Sequence, residues 1–191
     1  MLDILFEDDH YVAINKPHGM LVHRSRIAKD VKIFALQELR NQIDHWVSPC
    51  HRLDRKTGGV LIFAKTKDAD RELKKSIEQR EVIKVYRALV RGWISNDEGT
   101  IDKGLISESG KLQNALTRYK VIDRHEILKP VGKFSTGRFT LVEIYPETGR
   151  MHQIRKHFAH FRHYIINDKA HGDCHQNNFF EHELNLSLIH I

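Results

Sequence analysis

Strand-like and helix-like segments alternate irregularly along this sequence, and their order limits the possible folds. Residues 4–7 and 11–15 are short apolar-rich runs separated by three polar residues, which predicts a β-hairpin. Further strands are predicted where apolar residues form a short run or alternate with polar ones, at residues 60–64, 82–90, 115–122 and 138–145. Strands interleaved with helices without regular βαβ spacing favour an α+β fold over a doubly wound parallel sheet.

Three segments have helical signals. Asp30 is a candidate N-cap for a helix that runs to about Gln42 and includes Ile33 and Phe34 on its apolar face. Thr66 is a candidate N-cap for a second helix, in which Ala69, Leu73 and Ile77 recur at a spacing of four. Residues 151–163 place apolar side chains on one face and predict a third helix.

Length and charge restrict the class of protein. The chain has 191 residues, no repeat and no linker, so we expect a single domain over residues 1–185. The net charge is +6, and residues 51–91 alone carry twelve basic and six acidic side chains. A segment that holds as much net charge as the whole chain is typical of a protein with a polyanionic partner, although a solvated basic surface has the same composition.

Several other classes are disfavoured. No apolar run approaches the roughly 20 residues that a membrane span requires, and the first residues lack the basic and apolar regions of a signal peptide. The two cysteines, Cys50 and Cys174, cannot form a disulfide framework and neither is in a Cys-x-x-Cys pair. We therefore expect a reducing, cytoplasmic location and no membrane association.

The segment with the strongest chemical signal surrounds Asp54. This carboxylate lies among Arg52, Arg55 and Lys56 in a glycine-containing segment that leads into the apolar run at 60–64. Neighbouring cations favour the charged form of a carboxylate, so we expect Asp54 to be ionised at neutral pH. An ionised, positioned carboxylate can act as a covalent nucleophile, but a structural ion pair with its neighbours is the more common role of such a residue.

Three ordered blocks resemble the RluA-type pseudouridine synthase family. Residues 51–59 (HRLDRKTGG) are similar to its His-Arg-Leu-Asp-x-x-Thr-Ser-Gly signature, residues 84–92 (KVYRALVRG) to its Lys-x-Tyr-x-Ala block, and residues 148–157 (TGRMHQIRKH) to its Thr-Gly-Arg-x-His-Gln-Ile-Arg block. The resemblance extends from Asn15 to Phe180. It implies an α+β pseudouridine synthase catalytic domain, with a mixed, mainly antiparallel central sheet flanked by helices.

The resemblance also implies an activity and a role for three residues. The chain would be an isomerase that converts a uridine in RNA to pseudouridine without a cofactor. Asp54 would be the nucleophile, Tyr86 would stack on the flipped base and assist proton removal, and Arg155 would pair with Asp54. A target base must leave the helix to reach such a site, so an aromatic wall is physically reasonable.

The subgroup and the integrity of the chain give further expectations. Residues 19–25 (GMLVHRS) and the stretch from Gly149-Arg150-Met151-His152 through His171-Gly172-Asp173 resemble the tRNA pseudouridine synthase C group, which acts on uridine 65 of tRNA; a ribosomal-RNA enzyme is the alternative. Gly58 stands where the family has Ser, which predicts an enzyme of lower activity.

The C-terminal end also departs from the family. Members of the family continue beyond residue 185 with another strand, and residues 186–191 look like a non-native tail. A catalytically silent RNA-binding fragment is therefore a second alternative.

Candidate RNA contacts are basic or imidazole side chains. We predict phosphate and base contacts by Arg52, Arg55, Lys74, Lys75, Arg150, His152, Lys156 and Arg162, together with His157, His160 and His163. The histidines lack the paired short spacings from separate segments that structural zinc sites show. We therefore expect a tRNA substrate, no metal, no cofactor and a monomer.

Overall fold

The computed structural model describes residues 1–24 and 32–183, which divide into two compact units. The first unit is Met1–Val82, and the second begins at Ile83. The predicted N-cap Asp30 and the predicted tail at 186–191 lie outside the described residues. The single domain over residues 1–185 stays a prediction.

The first unit consists of one antiparallel sheet and two helices. Its elements in chain order are β1 (Asp3–Glu7), β2 (Tyr11–Lys16), α1 (Ala35–Ile43), β3 (Ser48–Pro49), β4 (Gly59–Ala64) and α2 (Lys67–Glu78). The sheet order is β1-β2-β4-β3. The predicted hairpin is confirmed, and its turn is stabilised by Asp8, whose Oδ1 accepts hydrogen bonds from the backbone N–H groups of His10 and Tyr11.

The two helices of this unit differ in how well their starts were predicted. The N-cap of α2 is confirmed, because Thr66 Oγ1 accepts a hydrogen bond from the N–H of Ala69 at 3.2 Å. In α1, by contrast, Ile33 and Phe34 are not helical, and Phe34 is extended and bridges to Leu21. The helix begins only at Ala35, which is fully buried.

The second unit is built on a four-stranded antiparallel sheet. Its elements are β5 (Tyr86–Arg91), β6 (Glu98–Asp102), β7 (Leu105–Ile106), β8 (Leu112–Gln113), β9 (Leu116–Ile127), β10 (Gly137–Pro146), α3 (Gln153–His160) and α4 (Cys174–Glu183). The sheet order is β5-β10-β9-β6, and β7 and β8 form a separate hairpin. The predicted α+β class is confirmed, whereas β6, β7, β8 and α4 were not predicted.

Helices cover both faces of this sheet. Successive side chains of a strand point to opposite faces, so Ala88 and Val90 share one face of β5, and Leu89 lies on the other. The first face packs with Phe158 of α3 in one apolar cluster. Leu89 packs instead on the cluster that contains Phe180 of α4. The sheet thereby fixes α3 and α4 relative to one another.

The strands and helix predicted for this unit occur with shifted ends. Strands β9 and β10 confirm the predictions at 115–122 and 138–145, while β5 begins at Tyr86 rather than at residue 82. Helix α3 is shorter than predicted, because His152 and Arg162 have left-handed backbones with φ of 54° and 62°. A left-handed residue cannot continue a right-handed helix, so the helix is limited to Gln153–His160.

Candidate functional site

The loop that carries Asp54 connects β3 to β4 and is fixed to the first unit by backbone hydrogen bonds. The N–H of Gly19 donates to the carbonyl of Arg55 at 2.9 Å, and Arg55 Nε donates back to the carbonyl of Gly19 at 3.0 Å. Within the loop, the N–H of Thr57 donates to the carbonyl of Asp54 at 3.0 Å and closes a turn. These contacts hold the backbone of Asp54, whose side chain is half-buried.

Lys16 lies beneath this loop and is fully buried. Its Nζ donates to the backbone carbonyls of Pro17, Met20 and Arg55, at 3.0, 2.8 and 3.3 Å. Burial lowers the pKa of Lys16 from 10.5 to about 8, and the charge of Asp54 opposes that shift. The buried ammonium therefore joins the end of β2 to the Asp54 loop. The only signal in the sequence was its place at the start of the resemblance, in Asn15-Lys16-Pro17.

The basic residues beside Asp54 are accessible to a ligand. Arg52, Arg55 and Lys56 are exposed, as are Lys74 and Lys75 on α2. Lys74 forms an ion pair with Asp70 one helical turn earlier, with Nζ and Oδ2 2.7 Å apart. The exposure of Arg52, Arg55, Lys74 and Lys75 is compatible with the predicted RNA contacts, which stay predictions.

Tyr86 is the first residue of β5, in the second unit. It pairs with Ile144 of the neighbouring strand, and its half-buried side chain packs on the apolar cluster beneath the sheet. One part of the ring is therefore supported by the core, while another part stays accessible. A ring supported in this way can serve as a rigid stacking surface.

Arg155 lies on α3 and forms a two-point contact with Asp168. Arg155 Nε donates to Asp168 Oδ2 at 2.8 Å, and Nη2 donates to Oδ1 at 2.7 Å. Burial by itself would raise the pKa of Asp168, but the hydrogen bonds from Arg155 and from the N–H groups of His171 and Ala170 lower it to about 2. The carboxylate is therefore charged at neutral pH. Sequence reasoning missed Asp168, and the predicted pairing of Arg155 with Asp54 stays a prediction.

The turn before α3 is built around the buried amide of Gln153. Its Oε1 accepts hydrogen bonds from Thr148 Oγ1 at 2.6 Å and from the N–H of Arg150 at 3.0 Å. Its Nε2 donates to the carbonyl of Leu116 and to Thr117 Oγ1, at 3.0 and 2.9 Å. Thr148 and Gln153 of the third sequence block thus shape the turn that delivers Arg155.

The predicted RNA contact by His157 is wrong. Its imidazole is fully buried, with Nδ1 2.9 Å from Thr117 Oγ1 and Nε2 3.0 Å from the carbonyl of Lys103. Burial lowers the pKa of His157, which favours the neutral ring. The face of α3 that carries His157 also carries Phe158 and is directed into the core, so this histidine cannot reach a ligand at the surface.

The remaining predicted contacts on and near α3 are at least partly accessible. Arg150, His160 and Arg162 are exposed, and His152, Lys156 and His163 are half-buried. His152 Nδ1 lies 3.1 Å from His171 Nε2, and Arg150 Nε donates to the carbonyl of Asn114 at 3.1 Å. A role for any of them in RNA binding stays a prediction.

Two further properties hold for the residues that the structure describes. Over 1–24 and 32–183, no three or more His, Cys, Asp and Glu side chains are arranged so that they could hold a metal ion. No helix in the same ranges combines the length and the apolar character that crossing a bilayer requires.

Comparison with known proteins identifies the family. The sequence model of the family described as RNA pseudouridylate synthase matches residues 10–160, which include Asp54, Tyr86 and Arg155. A protein named tRNA pseudouridine synthase C from Vibrio parahaemolyticus is 42% identical over 95% of this chain and 78% of its own length. A protein of the same name from Haemophilus ducreyi is 45% identical over 92% of this chain and 76% of its own length.

Solved structures share the fold. Human RNA Pseudouridylate Synthase Domain Containing 1 superimposes with a TM-score of 0.74 at 24% identity, covering 93% of this chain and 73% of that one. Human RNA Pseudouridylate Synthase Domain Containing 4 gives a TM-score of 0.68 at 27% identity, covering 91% of this chain and 70% of that one. With the family match spanning most of its length, the chain belongs to the RNA pseudouridylate synthase family.

Proposed function

We propose that this protein isomerises a uridine of tRNA to pseudouridine, with uridine 65 as the expected position. The observation that carries the proposal is the similarity to tRNA pseudouridine synthase C, at 42–45% identity over more than nine-tenths of the chain. The basic character of residues 51–91 supports a nucleic-acid substrate.

The proposed reaction conserves every atom of the nucleotide. The bond between N1 of the uracil and C1′ of the ribose breaks, the base rotates, and a bond forms between C5 and C1′. The proton on C5 leaves, and N1 gains a proton, so no oxidant, reductant or group donor is consumed. Asp54 is the nucleophile that allows the base to detach, by attack either on C1′ or on a carbon of the ring.

The other two residues have supporting roles in the proposal. The target base must be extruded, because a base inside a helix cannot be reached by a side chain. Tyr86 stacks on the extruded base, and the hydroxyl of Tyr86 assists removal of the C5 proton. Arg155 pairs with Asp54 and holds the nucleophile in one rotamer. A guanidinium suits this task because it stays protonated and offers several donors in one plane.

The test is incubation of the protein with transcribed tRNA, followed by carbodiimide mapping of pseudouridine. Asp54→Asn keeps the shape but removes the nucleophile, so it should abolish product while RNA affinity stays within a few-fold. Asp68→Asn is the matched control, because Asp68 is an exposed aspartate on α2 and its loss should leave the rate unchanged.

Two results would contradict the proposal. Product formation by Asp54→Asn would remove the aspartate from the mechanism. Modification of ribosomal RNA with none of tRNA would retain the chemistry but replace the substrate.

A further inference from the structure

The contact between Arg155 and Asp168 restricts the side chain of Arg155 at two atoms. An arginine side chain carries about 2 kcal/mol of rotamer entropy, so an arginine that acts on a partner needs an external constraint. Asp168 supplies one by accepting from Nε and from Nη2 at once. Two parallel bonds along one edge of the guanidinium set its plane as well as its position.

Asp168 is in turn immobilised by its own loop. Its side chain is 4% exposed, and Oδ1 also accepts from the N–H groups of Ala170 and His171 at 3.0 and 3.1 Å. The loop closes where the N–H of Gly172 donates to the carbonyl of Asp168 at 2.9 Å. A Cβ at Gly172 would lie 2.1 Å from that carbonyl oxygen, so the turn is too tight for any other residue.

Helix α4 holds the backbone of this loop through the buried amide of Asn177. Asn177 Nδ2 donates to the carbonyl of Asp168 at 3.0 Å, and Asn177 Oδ1 accepts from the N–H of Asn167 at 2.6 Å. Asn177 is 6% exposed, and its helix is anchored to the sheet by the buried Phe179 and Phe180. A continuous path of contacts therefore leads from the core of the second unit to the guanidinium of Arg155.

We propose that Asp168 and Asn177 are positioning residues for the reaction: Asp168 orients the guanidinium of Arg155, and Asn177 orients Asp168. Neither residue touches the substrate in this assignment. The inference rests on the role proposed above for Arg155 and extends it to α4, a helix outside the three sequence blocks. Loss of Asp168 or of Asn177 should lower kcat, because a misdirected guanidinium holds the nucleophile poorly in the transition state. KM should change little.

The first experiment compares kcat and KM of Asp168→Asn and Asn177→Ala with those of the parent. We expect kcat to fall by about tenfold or more in Asp168→Asn and less in Asn177→Ala, with KM within a few-fold in both. Asp173→Asn is the matched control from the same stretch. Asp173 pairs with Arg91 at 2.6 Å and caps α4; asparagine still caps, so this variant should turn over at the parent rate.

The second experiment separates positioning from general destabilisation. If Asp168 acts through Arg155, the substitution Asp168→Asn should cost little further kcat once Arg155→Lys is present. Losses that multiply in the double variant would overturn the inference. If Asp168→Asn fails to fold, the same cycle is run with Asn177→Ala, which leaves the ion pair in place.

A spectroscopic measurement makes the result independent of turnover. The Nε–H resonance of Arg155 should be sharp and protected from exchange in the parent, and broadened or lost in Asp168→Asn but not in Asp173→Asn. If the parent is active and Asp168→Asn has the same kcat, the positioning role is overturned and the proposed function still holds. If the parent modifies no tRNA, the proposed function fails and no effect on kcat can be measured. The Nε–H resonance then decides whether Asp168 orders Arg155.

Discussion

Replacement of Lys16 by Met tests the link between the buried ammonium and the Asp54 loop. Methionine has similar length and fills the space, but it removes the charge and all three donors. The carbonyls of Pro17, Met20 and Arg55 would each lose a hydrogen bond from a charged group, which typically contributes about 1.5–3 kcal/mol. Removing a desolvated charge offsets part of this loss.

The size of the offset follows from the pKa of Lys16. The fall from 10.5 to about 8 corresponds to about 3 kcal/mol, which is the cost of burying the charged lysine less the attraction of Asp54. With three bonds of about 2 kcal/mol each, the net loss of stability in Lys16→Met is about 3 kcal/mol at pH 7. That is a large part of the stability of an ordinary domain.

The same pKa gives the sign of the pH dependence. Between pH 8 and 10.5 the unfolded chain keeps the proton on Lys16 and the folded chain has lost it. The unfolded state then binds more protons, so the parent gains stability as pH rises. The advantage of the parent over Lys16→Met should grow by about 1.4 kcal/mol per pH unit in this window.

The assay is urea unfolding monitored by tryptophan fluorescence at pH 7, 8, 9 and 9.5. The chain has two tryptophans, one in each unit, so a Trp93→Phe background leaves Trp46 to report on the first unit. Lys67→Met, at an exposed position in the first turn of α2, serves as the control and should show no such trend. A stability difference between parent and Lys16→Met that stays constant from pH 7 to 9.5 would refute the reasoning.

Three further outcomes are expected for the proposed function. Tyr86→Phe keeps the ring on its apolar support, so tRNA affinity should be preserved while the single-turnover rate falls; a parent rate would limit Tyr86 to stacking. The double substitution Lys74→Ala and Lys75→Ala removes two exposed cations of α2. It should reduce the slope of log tRNA affinity against log salt concentration without changing which uridine is modified. An unchanged slope would assign both lysines to a solvated surface. Gly58→Ser should raise kcat by restoring a hydroxyl worth about 1 kcal/mol, or about fivefold in rate; an equal or lower rate would show that glycine costs nothing there.

Local signals in the sequence were sufficient for much of the secondary structure. The turn at Asp8, the cap at Thr66 and the strand at 60–64 each depend on a few neighbouring residues, so they could be predicted without the tertiary fold. The three sequence blocks also led to Asp54, Tyr86 and Arg155, because family motifs record residue type and order directly.

Helix α4 could not be predicted in the same way. Its buried residues, Gln176, Asn177, Phe179 and Phe180, share one face of the helix, but two of the four are polar, so the sequence shows no apolar stripe. The helix is stabilised by contacts with the sheet and with the loop at 167–172, which lie outside its own sequence. Tertiary packing here outweighs local propensity.

Residue type and order were enough to predict the α+β class, most strand positions, the family and the residues to which its chemistry is assigned. The burial of Lys16 and His157 and the contact between Asp168 and Arg155 become visible only in the folded chain. Lysine is rarely buried without partners, and histidine is buried only in some folds. Their burial here depends on hydrogen-bond partners far away in the chain, such as Arg55 for Lys16 and Thr117 for His157. A polar side chain can be buried only where the fold supplies its hydrogen-bond partners, and the linear order of residues does not show where those partners will be.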